Sequence, residues 1–184
     1  MSDLNLLKVI DSSFLLIREF PTQSTSIHSR KVFQVSSNGA EYILKFIESE
    51  SEKERKHAER ERQALLKCSG ILGITQLVHD YGILKVNNLR YSVILKEFFE
   101  GDDLRFAKYD RFLVYNHLKE TLSSIHDREV VPLDMWPQNV VVSETGEPKF
   151  IDLGQCLFVG KNERRYERIT RRDMNNLRLL FQLS

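Results

Sequence analysis

The sequence predicts an α+β fold, a small antiparallel sheet with a helix followed by a mainly helical second part, and three observations predict it. Between Ser13 and Ile47, strand-like apolar segments alternate with turn signals. Two stretches without Gly or Pro, Ser49 to Cys68 and Tyr109 to His126, carry apolar residues at helical spacing. Between Ile125 and Cys156, the runs Val140-Val141-Val142 and Lys149-Phe150-Ile151 flank Glu144-Thr145-Gly146-Glu147, a hairpin with Gly where a left-handed residue is needed. At 184 residues, the chain can bury one good core, or two lobes sharing a cleft, and hardly more. A division into 1–100 and 101–184 is expected.

Taken in order, Ser13 to Phe20 reads as a strand ended by Pro21, and Thr22 to Ser29 as a polar loop. Arg30 to Ser36 is a second strand, Asn38-Gly39 a hairpin turn, and Glu41 to Ile47 a third strand. Such a meander needs a helix or a second lobe to cover its face. In the helix from Ser49 to Cys68, Ala58, Leu65 and Cys68 share a stripe with Glu61. An inward carboxylate needs a cation, or it takes up a proton. Lys45, flanked by Leu44 and Phe46 on the preceding strand, is the obvious partner. Glu59 is the rival carboxylate, beside Leu66 on a neighbouring face, and a solvent-facing Lys45 and Glu61 is the plainer alternative. Leu72 to Leu84 reads as a connection plus strand, Asn87-Asn88 as a turn, and Arg90 to Phe99 as the sheet's last strand. Glu100 to Leu104 is a linker with one Gly and two helix-cap candidates. The helix from Tyr109 to His126 has Tyr115, Leu118, Leu122 and Ile125 as its inward stripe, with His126 as a cap or core partner. Arg164 to Ser184 is basic and then helical, with Met174, Leu177 and Phe181 on one stripe. Arg164, Arg165, Arg168, Arg171 and Arg172 either bind an acidic partner or phosphate, or form a solvated face.

The polar residues of the 125–156 stretch carry the chemistry. In simple register Ser143 faces Pro148, which puts Asn139 opposite Asp152, with Cβ atoms about 5 Å apart. Asp134 loops in just before them. Two oxygen ligands at that separation suit a Mg²⁺ ion that keeps its waters or a substrate phosphate. A slip of one residue turns one of them to the other face. A polar hairpin on an α+β domain is the alternative.

Composition narrows the function classes. Hydrophobic content of 41% and charged content of 29% are those of a folded globular chain. A net charge of +1 leaves no excess for a dedicated nucleic-acid binder, so no sequence-specific DNA binding is expected, although a local basic patch stays open. Met1-Ser2-Asp3-Leu4-Asn5 shows no basic region followed by an apolar one, and no run approaches the roughly 20 apolar residues of a membrane span. Cys68 and Cys156 are unclustered and read as buried thiols. A soluble cytoplasmic protein without a transmembrane segment is expected.

The strings Pro132-Leu133-Asp134-Met135-Trp136-Pro137-Gln138-Asn139 and Asp152-Leu153-Gly154 resemble the catalytic loop and metal-binding motif of the protein-kinase superfamily. Tyr42-Ile43-Leu44-Lys45 is similar to its strand-lysine motif. The order of strands, Lys, Glu helix, hinge, long helix, Asp loop, Asn, hairpin and Asp-x-Gly covers nearly the whole chain. It resembles a minimal two-lobed protein-kinase-like fold with a truncated C-lobe. Ile151-Asp152-Leu153-Gly154-Gln155 and Arg172-Asp173-Met174-Asn175-Asn176 followed by Phe181 are most similar to the RIO family of atypical kinases. The resemblance implies an ATP- and Mg²⁺- (or Mn²⁺-) dependent phosphotransferase, a RIO-like serine/threonine kinase or ATPase. Asp134 then orients the accepting hydroxyl and Asn139 and Asp152 hold metal, with water or Asp152 itself as the acceptor in the ATPase case. Lys45 with Glu61 positions phosphates, and backbone groups near Glu97 and Phe99 form a hinge for the adenine edge, with Lys96 guarding the pocket. Ser24, Thr25 and Ser26 stand where relatives have a Gly-rich phosphate loop. A protein or ribonucleoprotein substrate is implied. The missing glycines, Pro132-Leu133 and Lys96 equally suit a nucleotide-binding or scaffolding pseudokinase. The small kinases of lipopolysaccharide sugars are a looser resemblance, and a non-kinase α+β interaction domain is the remaining alternative.

Overall fold

The computed structural model describes residues 7, 10, 11, 13–21 and 30–182. Ser24, Thr25 and Ser26 therefore lie outside the described residues. The fold is α+β, with an antiparallel five-stranded sheet and helices, and it divides into two compact units. The first comprises Met1–Arg62 and Leu77–Phe98, the second Gln63–Gln76 and Phe99–Ser184. Residues 63–76, expected within 1–100, thus pack with the second unit.

The first unit is built on β1 (Leu15–Phe20), β2 (Arg30–Ser37), β3 (Ala40–Glu48), β4 (Leu77–Val86) and β5 (Leu89–Glu97), in the order β1-β2-β3-β5-β4. Two hairpins set this order. Asn38 and Gly39 have φ of 51° and 79°, and Asn87 and Asn88 have φ of 48° and 67°. Two successive left-handed residues match the twist of the strands they join, and Asn and Gly adopt that conformation at least cost. β5 lies inside the sheet, so the chain leaving it does not follow an edge strand. Alternation places Phe33, Val35, Leu44, Phe46, Tyr91, Val93 and Leu95 in one buried cluster with Leu7 and Val86. Phe46 meets Phe33 and Tyr91 edge-on at 5.8 and 6.0 Å. The intervening residues Lys45, Ile47, Ile94 and Lys96 are buried as well. They face the other side, where residues 52–62 of α1 (Glu52–Lys67) supply Ala58 and Glu61.

The second unit holds α2 (Arg111–Asp127), α3 (Tyr166–Leu180) and five short strands: β6 (Asp102–Asp103), β7 (Val130–Pro132), β8 (Val140–Val142), β9 (Pro148–Phe150) and β10 (Cys156–Phe158). These form a β6-β8-β9 sheet and a β10-β7 pair. Asp110 caps α2 by accepting from the Leu113 N–H at 3.0 Å. Its buried stripe is Val114, Leu118, Leu122 and Ile125. Tyr115 is half-buried, edge-on to Phe181 at 5.8 Å, so Val114 occupies the depth expected of Tyr115. His126 is a core partner: its Nε2 meets Asp173 Oδ2 of α3 at 2.8 Å, both side chains buried. The expected helix caps at 102–103 instead pair as a strand with Val142 and Val141. Gly101 is needed there, because a Cβ would lie 2.3 Å from the Val142 carbonyl oxygen. Both cysteines are buried and unbridged, and burial pushes the Cys68 thiol up to about 11, an inert group. Among the described residues no helix is long and apolar enough to cross a membrane.

Candidate functional site

Each unit carries one polar cluster. In the second unit, β7 pairs antiparallel with β10, Pro132 opposite Cys156, and the Leu133 N–H donates to the Gln155 carbonyl at 2.7 Å. That pairing brings the loop after β7 to Gln155, whose Nε2 lies 3.4 Å from Asp134 Oδ2. The loop closes on itself through the Trp136 N–H donating to the Asp134 carbonyl at 2.9 Å. A single 3-10 turn, Pro137–Asn139, then leads into β8. Asn139 spends its amide hydrogens on Asp134: Nδ2 donates to the backbone carbonyl at 2.9 Å and to Oδ2 at 3.2 Å. The amide oxygen is what remains to Asn139 as a ligand atom. Sequence reasoning had Asn139, Asp134 and Asp152 gather, and it quoted Gln155 only as part of a motif. The contact of Gln155 with Asp134 was not foreseen, since it depends on the β7–β10 pairing between segments more than twenty residues apart.

The hairpin register differs from the simple one. Val142, Val141 and Val140 face Pro148, Lys149 and Phe150. The Ile151 N–H donates to the Asn139 carbonyl at 3.0 Å, so Asn139 stands opposite Ile151 rather than Asp152. The cause lies in the turn. The Ser143 N–H donates to the Glu147 carbonyl at 2.9 Å, and the Glu147 N–H to Ser143 Oγ at 3.1 Å, so Glu147 belongs to the closing pair. The loop is three residues long and ends on Gly146 at φ 85°, a common three-residue hairpin with its left-handed position at glycine. One residue fewer in the loop shifts the pairing by one. Asp152 is instead shaped locally: its Oδ1 accepts from the Gly154 N–H at 2.7 Å, a side-chain turn that fixes the Asp-x-Gly bend.

Asp134, Asn139 and Asp152 are each partly exposed. Two carboxylates and an amide oxygen are hard donors of the kind Mg²⁺ accepts, with waters or phosphate oxygens completing its shell. Among the described residues no group of three or more His, Cys, Asp or Glu is gathered to hold a metal ion. These donor types suit a partly hydrated ion and not an all-protein cage.

The cluster of the first unit is buried. Lys45 Nζ lies 2.7 Å from Glu61 Oε2, and Lys96 Nζ lies 3.1 Å from Glu61 Oε1. Glu61 is fully buried and the two lysine side chains are 6% and 5% exposed. Glu59, the rival carboxylate, is taken by Arg62 at 2.6 Å on the exposed side of α1. Register explains the convergence: Lys45 is opposite Ile94, so Lys96 sits diagonally from it on the same face. Lys96, expected to guard the adenine pocket, instead pairs with Glu61, a contact the sequence reading does not anticipate. The alternation Ser92, Ile94, Lys96 was the available signal. Glu97 ends β5 opposite Tyr42. Phe99 lies in the second unit, with Lys149 Nζ 4.8 Å from its ring centroid.

No family model matches the chain, and no curated protein matches it.

Proposed function

We propose that the chain is an ATP-dependent phosphotransferase of the protein-kinase type, RIO-like, acting as a serine/threonine kinase or an ATPase. The observation that carries this reading is the clasp of Asn139 on Asp134. It ties one carboxylate to an amide whose oxygen is left for a cation, on a loop that also meets Gln155. The buried Lys45–Glu61 pair supports it from the first unit, since a lysine held by a carboxylate is poised for phosphate oxygens. Asn139 and Asp152 hold the Mg²⁺ or Mn²⁺, which neutralises phosphate charge when bound. Asp134 orients the acceptor hydroxyl and takes its proton as the γ-phosphoryl group passes from ATP to the acceptor oxygen and ADP leaves. Glu97 and Phe99 flank the stretch assigned to the adenine edge, and Ser24, Thr25 and Ser26 the one assigned to phosphates. The acceptor class is a protein or ribonucleoprotein, or water; a lipopolysaccharide-type sugar is the small-molecule alternative.

Transfer of label from radioactive ATP, measured for the wild type, Asp134→Ala and Asp152→Ala, tests the assignment. Loss in both variants is expected, and unchanged turnover in either sinks it. A nucleotide-binding or scaffolding pseudokinase is the second reading, favoured by one observation: Glu61 is shared with Lys96, which divides the carboxylate that Lys45 would otherwise hold alone. Thermal unfolding with and without ATP and metal separates nucleotide binding from pure scaffolding, because a ligand of the native state raises its stability.

A further inference from the structure

We propose that α3 and the turn before it form a docking face for the phosphate backbone of a nucleic-acid duplex, independent of the phosphotransfer reading. Arg164, Arg168, Arg171 and Arg172 line one open depression together with Glu167 and Asn175. All four arginines are exposed, and the three on α3, Arg168, Arg171 and Arg172, lie on its side away from the buried Asp173 and Leu177. None of the four has an ion-pair or hydrogen-bond partner among the described residues, whereas neighbouring Arg165 is held by Glu163 at 2.8 Å. Four guanidiniums share the depression with a single carboxylate among its described lining residues, Glu167, and on balance repel one another. Such an arrangement is stabilised by a bound polyanion.

Chain chemistry points to phosphate: from 164 to 184 the cations are all Arg and none is Lys, and the guanidinium fork matches phosphate oxygens in pairs. Asn175 adds a neutral donor of the sort that contacts phosphates. A single strand is disfavoured, because its binders stack bases on aromatic rings. The aromatics of α3 are unavailable for that: Tyr166 donates its hydroxyl to the His126 carbonyl, and Phe181 is buried. With a net charge of only +1, the whole molecule adds little long-range attraction, so the binding belongs to this face and is strongly salt-dependent.

The test is fluorescence anisotropy of the full chain with a short labelled mixed-sequence duplex, as DNA and as RNA, across a salt series. Four phosphate contacts give a slope of log K against log salt of about −3.6 on DNA, roughly a 150-fold loss between 50 and 200 mM salt. Arg168→Gln with Arg171→Gln should reduce the slope to about −1.8, and the fourfold variant that adds Arg164→Gln and Arg172→Gln should abolish binding. A charge-matched variant with Lys53, Arg55, Lys85 and Lys119 changed to Gln should bind like the wild type. Circular dichroism confirms that each variant is folded. Absence of binding at low salt overturns the proposal, as does wild-type affinity in the fourfold variant or an equal loss in the charge-matched one. Equally strong binding to anionic vesicles or polyglutamate with the same arginine dependence also overturns it, since the face would then read charge and not a phosphate strand.

Discussion

The two polar clusters solve opposite problems. Glu61, Lys45 and Lys96 place one carboxylate and two ammoniums where water does not reach. Asp134, Asn139 and Asp152 leave their oxygens partly exposed and restrain them with neutral donors, the amides of Asn139 and Gln155 and the N–H of Gly154. A buried ionic cluster fixes geometry but makes each member indispensable, because losing one leaves the others charged and dry. An amide-restrained, accessible carboxylate can lose its side chain with little structural effect while losing all its chemistry. The first cluster should therefore be read through stability and the second through activity.

The largest effect follows from that contrast. Glu61→Ala leaves two ammoniums buried without their carboxylate and should cost about 3–5 kcal/mol in urea unfolding. Asp134→Ala, which removes only contacts with two amide donors, should cost about 1 kcal/mol. Equal costs at the two positions would erase the distinction between the clusters.

The two lysines sharpen the comparison within the first cluster. Under the proposed function Lys45 reaches phosphate, whereas Lys96 serves Glu61. Lys45→Met should weaken ATP binding by about 1.5–3 kcal/mol, roughly ten- to a hundredfold, as expected for a lost charge-assisted hydrogen bond. Lys96→Met retains the apolar stem in a buried strand and should leave ATP affinity near the wild-type value. Titration calorimetry of both variants decides, and the reverse ranking would transfer the phosphate role to Lys96.

How much of this was legible differs between the same two regions. The strands and turns of the first unit were readable because alternation has a fixed period of two and because Asn38-Gly39 and Asn87-Asn88 state their conformations locally. Glu61 could be picked over Glu59 for the same reason: helical spacing puts it on the inward stripe. The alternation Ser92, Ile94, Lys96 put Lys96 on the face of Ile94, but a lone Lys in a strand is most often at the surface, so alternation alone did not give the pairing. Only the register with β3 and the approach of α1 bury it. In the second unit the hairpin was legible and its alignment was not. Whether a turn spends three residues or four depends on bonds between Ser143 and Glu147, and a one-residue difference moves Asn139 from Asp152 to Ile151. His126 illustrates an intermediate case. Its role as a core partner was visible from the end of an amphipathic helix, but Asp173, its partner 47 residues on, was not.

That His126–Asp173 contact gives the next effect, which depends on pH. Burial raises the Asp173 carboxyl above its ordinary 3.8, and the bond to His126 offsets this only in part. The folded chain thus holds this proton more tightly than the unfolded one. The stability the group contributes is complete below about pH 3.8 and declines as the pH rises through its folded value. Asp173→Asn keeps a polar partner for His126 but has no proton to lose. The wild type minus the Asn variant, measured by urea unfolding, should therefore become less favourable to the wild type as pH rises from 4 towards neutrality. Asp173→Ala should cost about 1–3 kcal/mol near pH 4 by orphaning a buried imidazole, and less as the pH rises. A difference that grows in favour of the wild type on raising the pH would show the carboxyl to be held below its ordinary value.

The smallest structural effect belongs to Asn139, and there the comparison is most exposed to failure. Asn139→Ala deletes two hydrogen bonds to Asp134 from a partly exposed turn and should cost about 1 kcal/mol of stability. If the amide only restrains the loop, Asn139→Asp should restore little, because a carboxylate cannot donate to the Asp134 oxygens and would repel them. If the amide oxygen also holds the ion, the Ala variant should need a higher Mg²⁺ concentration for half-maximal phosphotransfer, with ATP affinity in the absence of metal unchanged. The Asp variant should then regain part of that metal dependence while remaining as unstable as the Ala one. Stability and metal dependence that fall and recover together would make Asn139 a purely structural clasp, and the second cluster would then resemble the first.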